Sequence, residues 1–335
     1  MKIKPRLLIF ISPLLLLLGA IPINFAHAVT MSPVRMELAT DPGGHTSGIV
    51  KITNDEKIPR TLYLSVEKFK SKDESGQPTF VKGATDELVA WTTIQPSVTI
   101  PPQDFREVPF NIDIPNGVEP GGYFAAIFAS VIPPTGDGEL TLQNDVGTLL
   151  LFRVNGQFPE GETILEFNTK DKKTIYNHLP VEFFFRFQNS GEDRSQPLGD
   201  ITIRNMFGAV TKVVSANRGA GNVLPQSVRR FDSAWVTAGG GTTEDYQGDI
   251  NQPKFKNFFD AVKYQWNNFA LGRYSANLKI TVNNDSSRMY AKNLAFWIIP
   301  WQLIVVILAI IILFVLPLFL LVTLILIYIR RRKNR

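Results

Sequence analysis

The 335-residue chain contains no cysteine and only three histidines, at positions 27, 45 and 178. Without cysteine there is no disulfide and no thiolate ligand or nucleophile, so any exported part must be held by its apolar core alone. His45 and His178 lie far apart, and neither has a second histidine two or four places on, which removes the common metal-ligand spacings. A Gly-x-Ser-x-Gly elbow and a phosphate loop are also missing. The paired acids Asp86-Glu87 and Glu244-Asp245 fall in loop-like stretches, where solvated carboxylates are the default. Asp137-Gly138-Glu139 and Asn283-Asn284-Asp285 offer too few oxygens for calcium, which takes about six to eight. No Lys/Arg cluster occurs between Val29 and Trp297, so a nucleic-acid-binding face is excluded. No catalytic residue, no metal ligand and no cofactor is expected, and the enzyme class falls away.

What the chain does have is concentrated at its ends. Lys2, Lys4 and Arg6 precede an apolar run from Leu7 to Ile21, and Ala26-His27-Ala28 is a small-x-small cleavage pattern. Residues 1–28 read as a signal peptide. From Gln302 to Ile329 there are 28 uncharged residues rich in Leu, Ile and Val, more than the roughly 20 a helix needs to cross a bilayer. Pro317 should kink such a helix without expelling it. Trp297 and Trp301 stand before the run and Tyr328 closes it, where amphipathic rings favour the headgroup layer. Arg330, Arg331, Arg332, Lys333 and Arg335 follow, a basic flank of the kind that stays in the cytoplasm. The expected topology is single-pass type I in the plasma membrane, with the N-terminal body outside.

The charge balance changes once these flanks are set aside. Eight of the 35 Lys and Arg lie in them and none of the 30 Asp and Glu do, so the body carries 27 cations against 30 anions. The sequence pI of 9.3 therefore belongs to the ends. A large exported body without cysteine also points to a bacterial source.

Between the ends, strand signals recur about every ten residues and alternate with turn chemistry, the pattern of a β-sandwich. Met31–Leu38, Gly48–Thr53, Arg60–Phe69, Ile94–Ile100, Phe105–Ile114, Tyr123–Ile132 and Gly147–Val154 give about seven runs, one immunoglobulin-like sandwich over 29–157. Asp41-Pro42-Gly43-Gly44 and Pro120-Gly121-Gly122 are the clearest turns. Thr163–Asn168, Leu179–Gln188, Leu198–Arg204, Ala209–Val214, Val228–Trp235, Tyr274–Val282 and Lys292–Ile298 repeat the spacing. They predict a second sandwich over 158–297, whose last strand feeds a transmembrane helix over 298–329, with a cytoplasmic tail at 330–335. Trp91 and Trp235 read as core or sheet-edge residues.

One segment departs from the rhythm. After Gly239-Gly240-Gly241, residues Phe255, Phe258, Phe259, Val262, Trp266 and Phe269 share one face of a helix within 251–270. Pro253 suits its first turn, and Asn251 or Gln252 could cap it. Lys254, Lys256 and Lys263 outnumber Asp260. Strand alternation puts this insertion at the membrane-proximal end. Its aromatic face either lies in the membrane interface or packs against the second sandwich or the top of the transmembrane helix.

Met31-Ser32-Pro33, Asp41-Pro42-Gly43-Gly44, Val50-Lys51-Ile52-Thr53-Asn54 and Pro120-Gly121-Gly122-Tyr123-Phe124 together resemble the immunoglobulin-like, peptidoglycan-binding-type domain of WxL-interacting surface proteins. The order of signal peptide, two sandwiches, one C-terminal span and basic tail is similar to that family too. The resemblance implies a non-enzymatic adhesion or scaffold role, engaging a cell-wall polymer or another surface protein through the outer domain; it names no ligand-contacting residue. A second reading is a structural subunit of an envelope membrane complex. A third is similarity to the periplasmic pilus chaperones, on Ser32–Leu38 with Arg35 and on Ile127–Pro134. Those proteins are soluble and hold a carboxylate with a cleft Arg and Lys; here an anchor is present, no such lysine stands out, and Arg35 reads as a strand-end charge.

Cleavage after Ala28 would leave a mature chain that begins at Val29. Intact-mass measurement of the membrane-extracted protein should show the loss of residues 1–28, and a full-length mass would mean a retained N-terminal anchor.

Overall fold

The computed structural model describes residues 29–81, 83–133, 145–236 and 252–333. The expected signal peptide, Asp137-Gly138-Glu139, Gly239-Gly240-Gly241, Glu244-Asp245 and Asn251 lie outside the described residues.

The first sandwich is built from β1 (Val29–Ser32), β2 (Arg35–Thr40), β3 (His45–Asn54), β4 (Arg60–Ser71), β5 (Pro78–Val81), β6 (Thr92–Ile94), β7 (Ser97–Ile100), β8 (Asp104–Asp113), β9 (Gly121–Ser130) and β10 (Val146–Val154). One sheet has the order β1-β3-β8-β6; the other runs β2-β10-β9-β4-β5, with β7 beside β4. Alternation along the strands drives Val50, Ile52, Phe110 and Ile112 from one side against Leu62, Ile127 and Phe152 from the other. Strand β9 is central and buried on both faces, as its unbroken apolar run implies.

Two runs that look like single strands are each broken at a proline. Met31–Leu38 divides into β1, antiparallel to β3, and β2, parallel to β10. Ile94–Ile100 belongs to β6, paired with β8, and β7, paired with β4. Pro33 and Pro96 have no N–H to give to a ladder, so the strand ends there and the chain crosses to the opposite sheet. Their carbonyls are then used elsewhere: Thr148 Oγ1 donates to Pro33 O at 2.7 Å and the Leu64 amide to Pro96 O at 2.8 Å. A short helix, α1 (Glu87–Trp91), precedes β6 and buries Leu88.

The second sandwich comprises β11 (Glu162–Thr169), β12 (Ile175–Tyr176), β13 (Val181–Asn189), β14 (Pro197–Arg204), β15 (Val210–Ser215), β16 (Ser227–Trp235), β17 (Gly272–Val282) and β18 (Asp285–Ile298). Sheet β11-β13-β16 faces sheet β12-β18-β17-β14-β15, an immunoglobulin-like arrangement. The sequence Phe183-Phe184-Phe185-Arg186-Phe187 shows the pleat directly. Phe183, Phe185 and Phe187 enter the core with Phe231 and Phe296, while Phe184 lies on the outer face beneath the Arg230 guanidinium, 4.1 Å from its ring centre.

The helical insertion is shorter than its sequence pattern. Helix α2 runs Phe258–Asn267 and is capped by Asn257, whose side chain accepts from the Asp260 amide at 2.9 Å. The expected cap at Asn251 or Gln252 and the first-turn place of Pro253 are therefore corrected. Phe255 precedes the helix and Phe269 follows it.

The apolar segment also starts later than 298. β18 carries sheet pairing through Ile298, and the helix begins at Trp301, as α3 (Trp301–Ile310), a π turn (Ile311–Val315) and α4 (Leu316–Lys333). The Leu316 amide reaches back five residues to Ile311 O, and this wide turn lies immediately before Pro317, which has no amide to contribute. Residues Trp301–Ile327 are long and apolar enough to cross a membrane.

Buried asparagines fasten loops at the strand ends of both sandwiches. Asn189 is fully buried; its Nδ2 donates to Asp193 O at 2.7 Å and Val223 O at 3.0 Å, and its Oδ1 accepts from the Gly191 amide. Asn54 and Asn217 do the same for their own loops. Replacing Asn189 by Ala should cost about 1–3 kcal/mol locally, because buried partners lose their bonds. Hydrogen exchange in 190–195 and 221–224 should accelerate, and unchanged protection there would refute the clamp.

Candidate functional site

Two places bring together side chains that the folds alone do not require. The first is the seam between the second sandwich and the apolar helix. Ile299 N donates to Tyr176 O at 2.7 Å and Trp301 N to Ile299 O at 2.8 Å, so hydrogen bonding continues from sheet to helix. The first amides of a helix have no intrahelical acceptor. Pro300, at the N-cap, has no side-chain acceptor for them. Gln265 of α2 supplies one: its Oε1 accepts from the Leu303 amide at 3.0 Å, and its Nε2 donates to Gln302 Oε1 at 2.6 Å and Asn177 O at 3.1 Å. All three of Gln265, Gln302 and Leu303 are buried.

This arrangement decides how α2 sits. Its buried side is Ala261 and Gln265, with Tyr264 and Phe255 packed around the His178 ring. Packing of the aromatic face onto the sandwich is thus corrected for four of its residues: Phe258, Phe259, Trp266 and Phe269 are exposed, whereas Phe255 packs on His178 and Val262 is half-buried. Phe258 meets the apolar helix, edge-on to Trp301 with ring centres 6.0 Å apart. Trp297 and Trp301 are themselves exposed. Arg330 and Arg332 are exposed on α4, whereas the side chains of Tyr328, Arg331 and Lys333 lie outside the described residues.

The second place is a cleft between the sandwiches, with a cavity of about 230 Å³. The β4–β5 hairpin reaches across the outer face of β13 and β16, where Glu74 accepts from Arg186 Nε at 2.8 Å and Nη2 at 2.5 Å, and its carbonyl from the Arg230 amide at 2.7 Å. The Arg186 bonds hold the Glu74 carboxyl below its usual range. On the other flank, Arg194 donates to Glu37 at 3.0 Å and the Gly122 amide to Glu192 O at 2.8 Å. Burial raises the Asp193 carboxyl there, against the pull of Arg194 and Arg153.

Between these flanks lie Arg35 and Arg229. Arg229 is drawn into the cleft beside Gly76 and Gly221, and a Cβ at either would collide with its guanidinium; Gly76 also has φ +75°. Its Nη1 donates to Asn222 O at 2.8 Å, and the guanidinium lies 5.1 Å from the Phe231 ring centre. Burial, and then the charge of Arg35, push its pKa down. Among the described residues, Arg229 Nε and Asn222 Nδ2 are both buried without a hydrogen-bond partner. Arg35 is therefore more than a strand-end charge: it lines this cavity with Phe69, Leu149, Leu151 and Leu224. It pairs with Glu37 at 3.4 Å, an acid shared with Arg194.

The other residues considered for chemistry have structural places. His45 pairs with Asp113 at 2.6 Å, and His178 Nδ1 lies 2.8 Å from Leu179 O. Asn283 and Asn284, both at positive φ, form the two-residue β17–β18 turn. Lys68 pairs with Asp86 and Glu87. Trp235 is buried against Tyr274, and Trp91 is half-buried against Tyr123. Among the described residues, no group of three His, Asp or Glu could hold a metal ion. Gln265, Gln302 and Arg229 escaped sequence reasoning. The available signals were a glutamine on the inward side of α2, a lone polar residue at the head of an apolar run, and paired arginines inside a strand.

No family model matches the sequence, and no curated protein does. Solved structures with a similar course of chain include the class 5 fimbriae chaperone CfaA, at 11% identity and a TM-score of 0.38, covering 79% of this chain and 98% of that one. Another is the Salmonella enterica SafA pilin in complex with the SafB chaperone, at 11% identity and 0.35, covering 81% and 98%. A third is the CsuC–CsuE chaperone–tip adhesion subunit complex of Acinetobacter baumannii, at 10% and 0.32, covering 61% and 89%. Likeness at this level carries no inference about partner or activity.

Proposed function

We propose that this is a non-enzymatic binding protein of the bacterial cell surface, held in the plasma membrane by one helix and capturing an anionic envelope partner in the cleft between its two sandwiches. The apolar helix crosses the bilayer, with the basic flank after Ile329 in the cytoplasm and both sandwiches outside. The partner is a cell-wall polymer or another surface protein, in keeping with the resemblance to WxL-interacting proteins. The cleft, rather than the outer domain alone, is the contact surface.

The observation that supports this reading is the pair of orphaned donors, Arg229 Nε and Asn222 Nδ2, in a cavity lined by two arginines. Buried donors are nearly always paired, and a buried guanidinium is stable only with compensation. Both missing bonds call for an acceptor, and Arg35 and Arg229 favour one that carries negative charge. The apolar floor of Phe69, Leu149, Leu151 and Leu224 suits a ligand with an apolar body beside its acidic group.

Full-length protein in detergent should be retained by its own cell-wall sacculi or pull down an acidic surface protein. Charge-assisted hydrogen bonds contribute about 1.5–3 kcal/mol each, so Arg35→Gln with Arg229→Gln should weaken capture by roughly a hundredfold or more. Gln77→Glu places a negative charge at the rim without removing a buried group and should also weaken it. Retention of both variants at the unsubstituted level would sink the cleft reading.

A further inference from the structure

Helix α2 is not alone in leaving aromatic surface uncovered at the end from which the span departs. The β14–β15 hairpin turns through Asn205–Ala209, and Phe207 at its tip is 86% exposed, with Met206 beside it also exposed. The tip is built to hold this shape. Asn205 Oδ1 accepts from the Phe207 and Ala209 amides at 3.0 and 3.1 Å, and Arg204 Nη1 donates to Gly208 O at 3.0 Å. Met206 lies against Gly272, which is at φ +104° and has no side chain to hold it off.

That contact fixes the level of the tip. Gly272 pairs with Ile298 and Arg273 with Trp297, at the last residues before the span. Exposed Ile175 pairs with Trp297 from the other side. Helix α2 reaches the same level through Gln265 and the Leu303 amide. It presents Phe259, Trp266 and Phe269 at 74%, 67% and 60% exposure. Hairpin tip, helix and strand edge therefore leave apolar side chains exposed at one level, a rim around the root of the apolar helix. Exposed cations lie among them: Arg204, Arg273, Lys254, Lys256 and Lys263, against the single α2 acid, Asp260. Large contiguous exposed apolar surface marks a contact site. Aromatic residues with flanking cations on an element that does not span are the composition of an interfacial anchor.

We propose that this rim is a lipid-contacting foot: Phe207 and the aromatic face of α2 seat together in the headgroup–acyl boundary of the bilayer that the helix crosses. The occupant is assigned by continuity, since the rim surrounds the first turn of the helix that enters the bilayer in the proposed topology, and aromatic side chains with flanking cations suit its headgroup layer. The foot adds a second and third point of attachment, so the ectodomain is fixed in tilt as well as tethered. It rests on the transmembrane topology proposed above, and the test separates the two.

Because the chain lacks cysteine, each introduced thiol is unique. Full-length Met206→Cys, Asn267→Cys, Leu313→Cys and Thr93→Cys would be labelled with an environment-sensitive fluorophore. Each would be reconstituted in nanodiscs of phosphatidylcholine and phosphatidylglycerol carrying headgroup-level quencher lipids or deep ones. The foot predicts strong loss of emission at 206 and 267 with headgroup-level quenchers, loss at 313 with deep quenchers, and none at 93. Adding Phe207→Glu to the Met206→Cys protein should abolish quenching at 206 while leaving 313 unchanged. Quenching at 313 without quenching at 206 and 267 overturns the foot, keeps the span, and reassigns the rim to a protein neighbour. Absence of quenching at 313 overturns both.

Discussion

A helix that begins where a strand ends must find acceptors for its first amides within a residue or two, and here that requirement is met from outside the helix. Pro300 offers no capping side chain, and the Leu303 amide is closed by Gln265, which also holds Gln302 and the Asn177 carbonyl. An unpaired buried amide costs about 1–3 kcal/mol, so the bond is strong enough to set where α2 docks. With α2 docked this way, its inward side is Ala261 and Gln265, and its aromatic side has nowhere to turn but outward. The exposed aromatic side of α2 at the root of the apolar helix follows from that one glutamine.

The cleft at the opposite end obeys a different balance. Arg186 and Glu74 form a two-bond pair across the domains, and the buried asparagines hold the loops that touch the first sandwich. These contacts satisfy their own groups. Arg229 is different, since burial and Arg35 both disfavour its charge and no carboxylate pairs with it among the described residues. A fold that needed only rigidity could place an apolar residue there at no loss. Gly76 and Gly221 instead make room for the guanidinium, and that spatial accommodation is hard to account for except as a means of presenting it.

Much of this was legible in the sequence because alternation and turn residues act locally. The seven runs of the second sandwich appear as strands, and α2, in the insertion after Val228–Trp235, docks on the start of the apolar helix. The failures have local causes too. Pro33 and Pro96 sit inside runs that still alternate, so the pattern shows one strand where the missing amide makes two in different sheets. Helical spacing from Phe255 to Phe269 overstated α2, because Phe255 packs on His178 outside the helix and Asn257 caps it later. An aromatic face is also ambiguous in principle: core and lipid ask for the same residues, and only the position of Gln265 separates them. Arg229 and Glu74 are more than 150 residues apart, so no window could have shown that they border one cleft.

The separation between the two ends gives the arrangement its consequence. The β18 strand runs 14 residues, from the turn at the first-sandwich end to the root of the span, and a strand rises about 3.3 Å per residue, or roughly 45 Å in all. A flexible tether of the same length would average only about 20 Å end to end and would leave direction free. A strand inside a sheet does neither: it transmits position, and the seam at Trp301 and Gln265 prevents the sheet from swivelling on the helix. Under the proposed topology, the cleft is therefore carried at one height and one orientation above the bilayer. A partner seated on Arg35 and Arg229 would be held at a defined place in the envelope, which is what a scaffold requires and what a flexible anchor could not deliver.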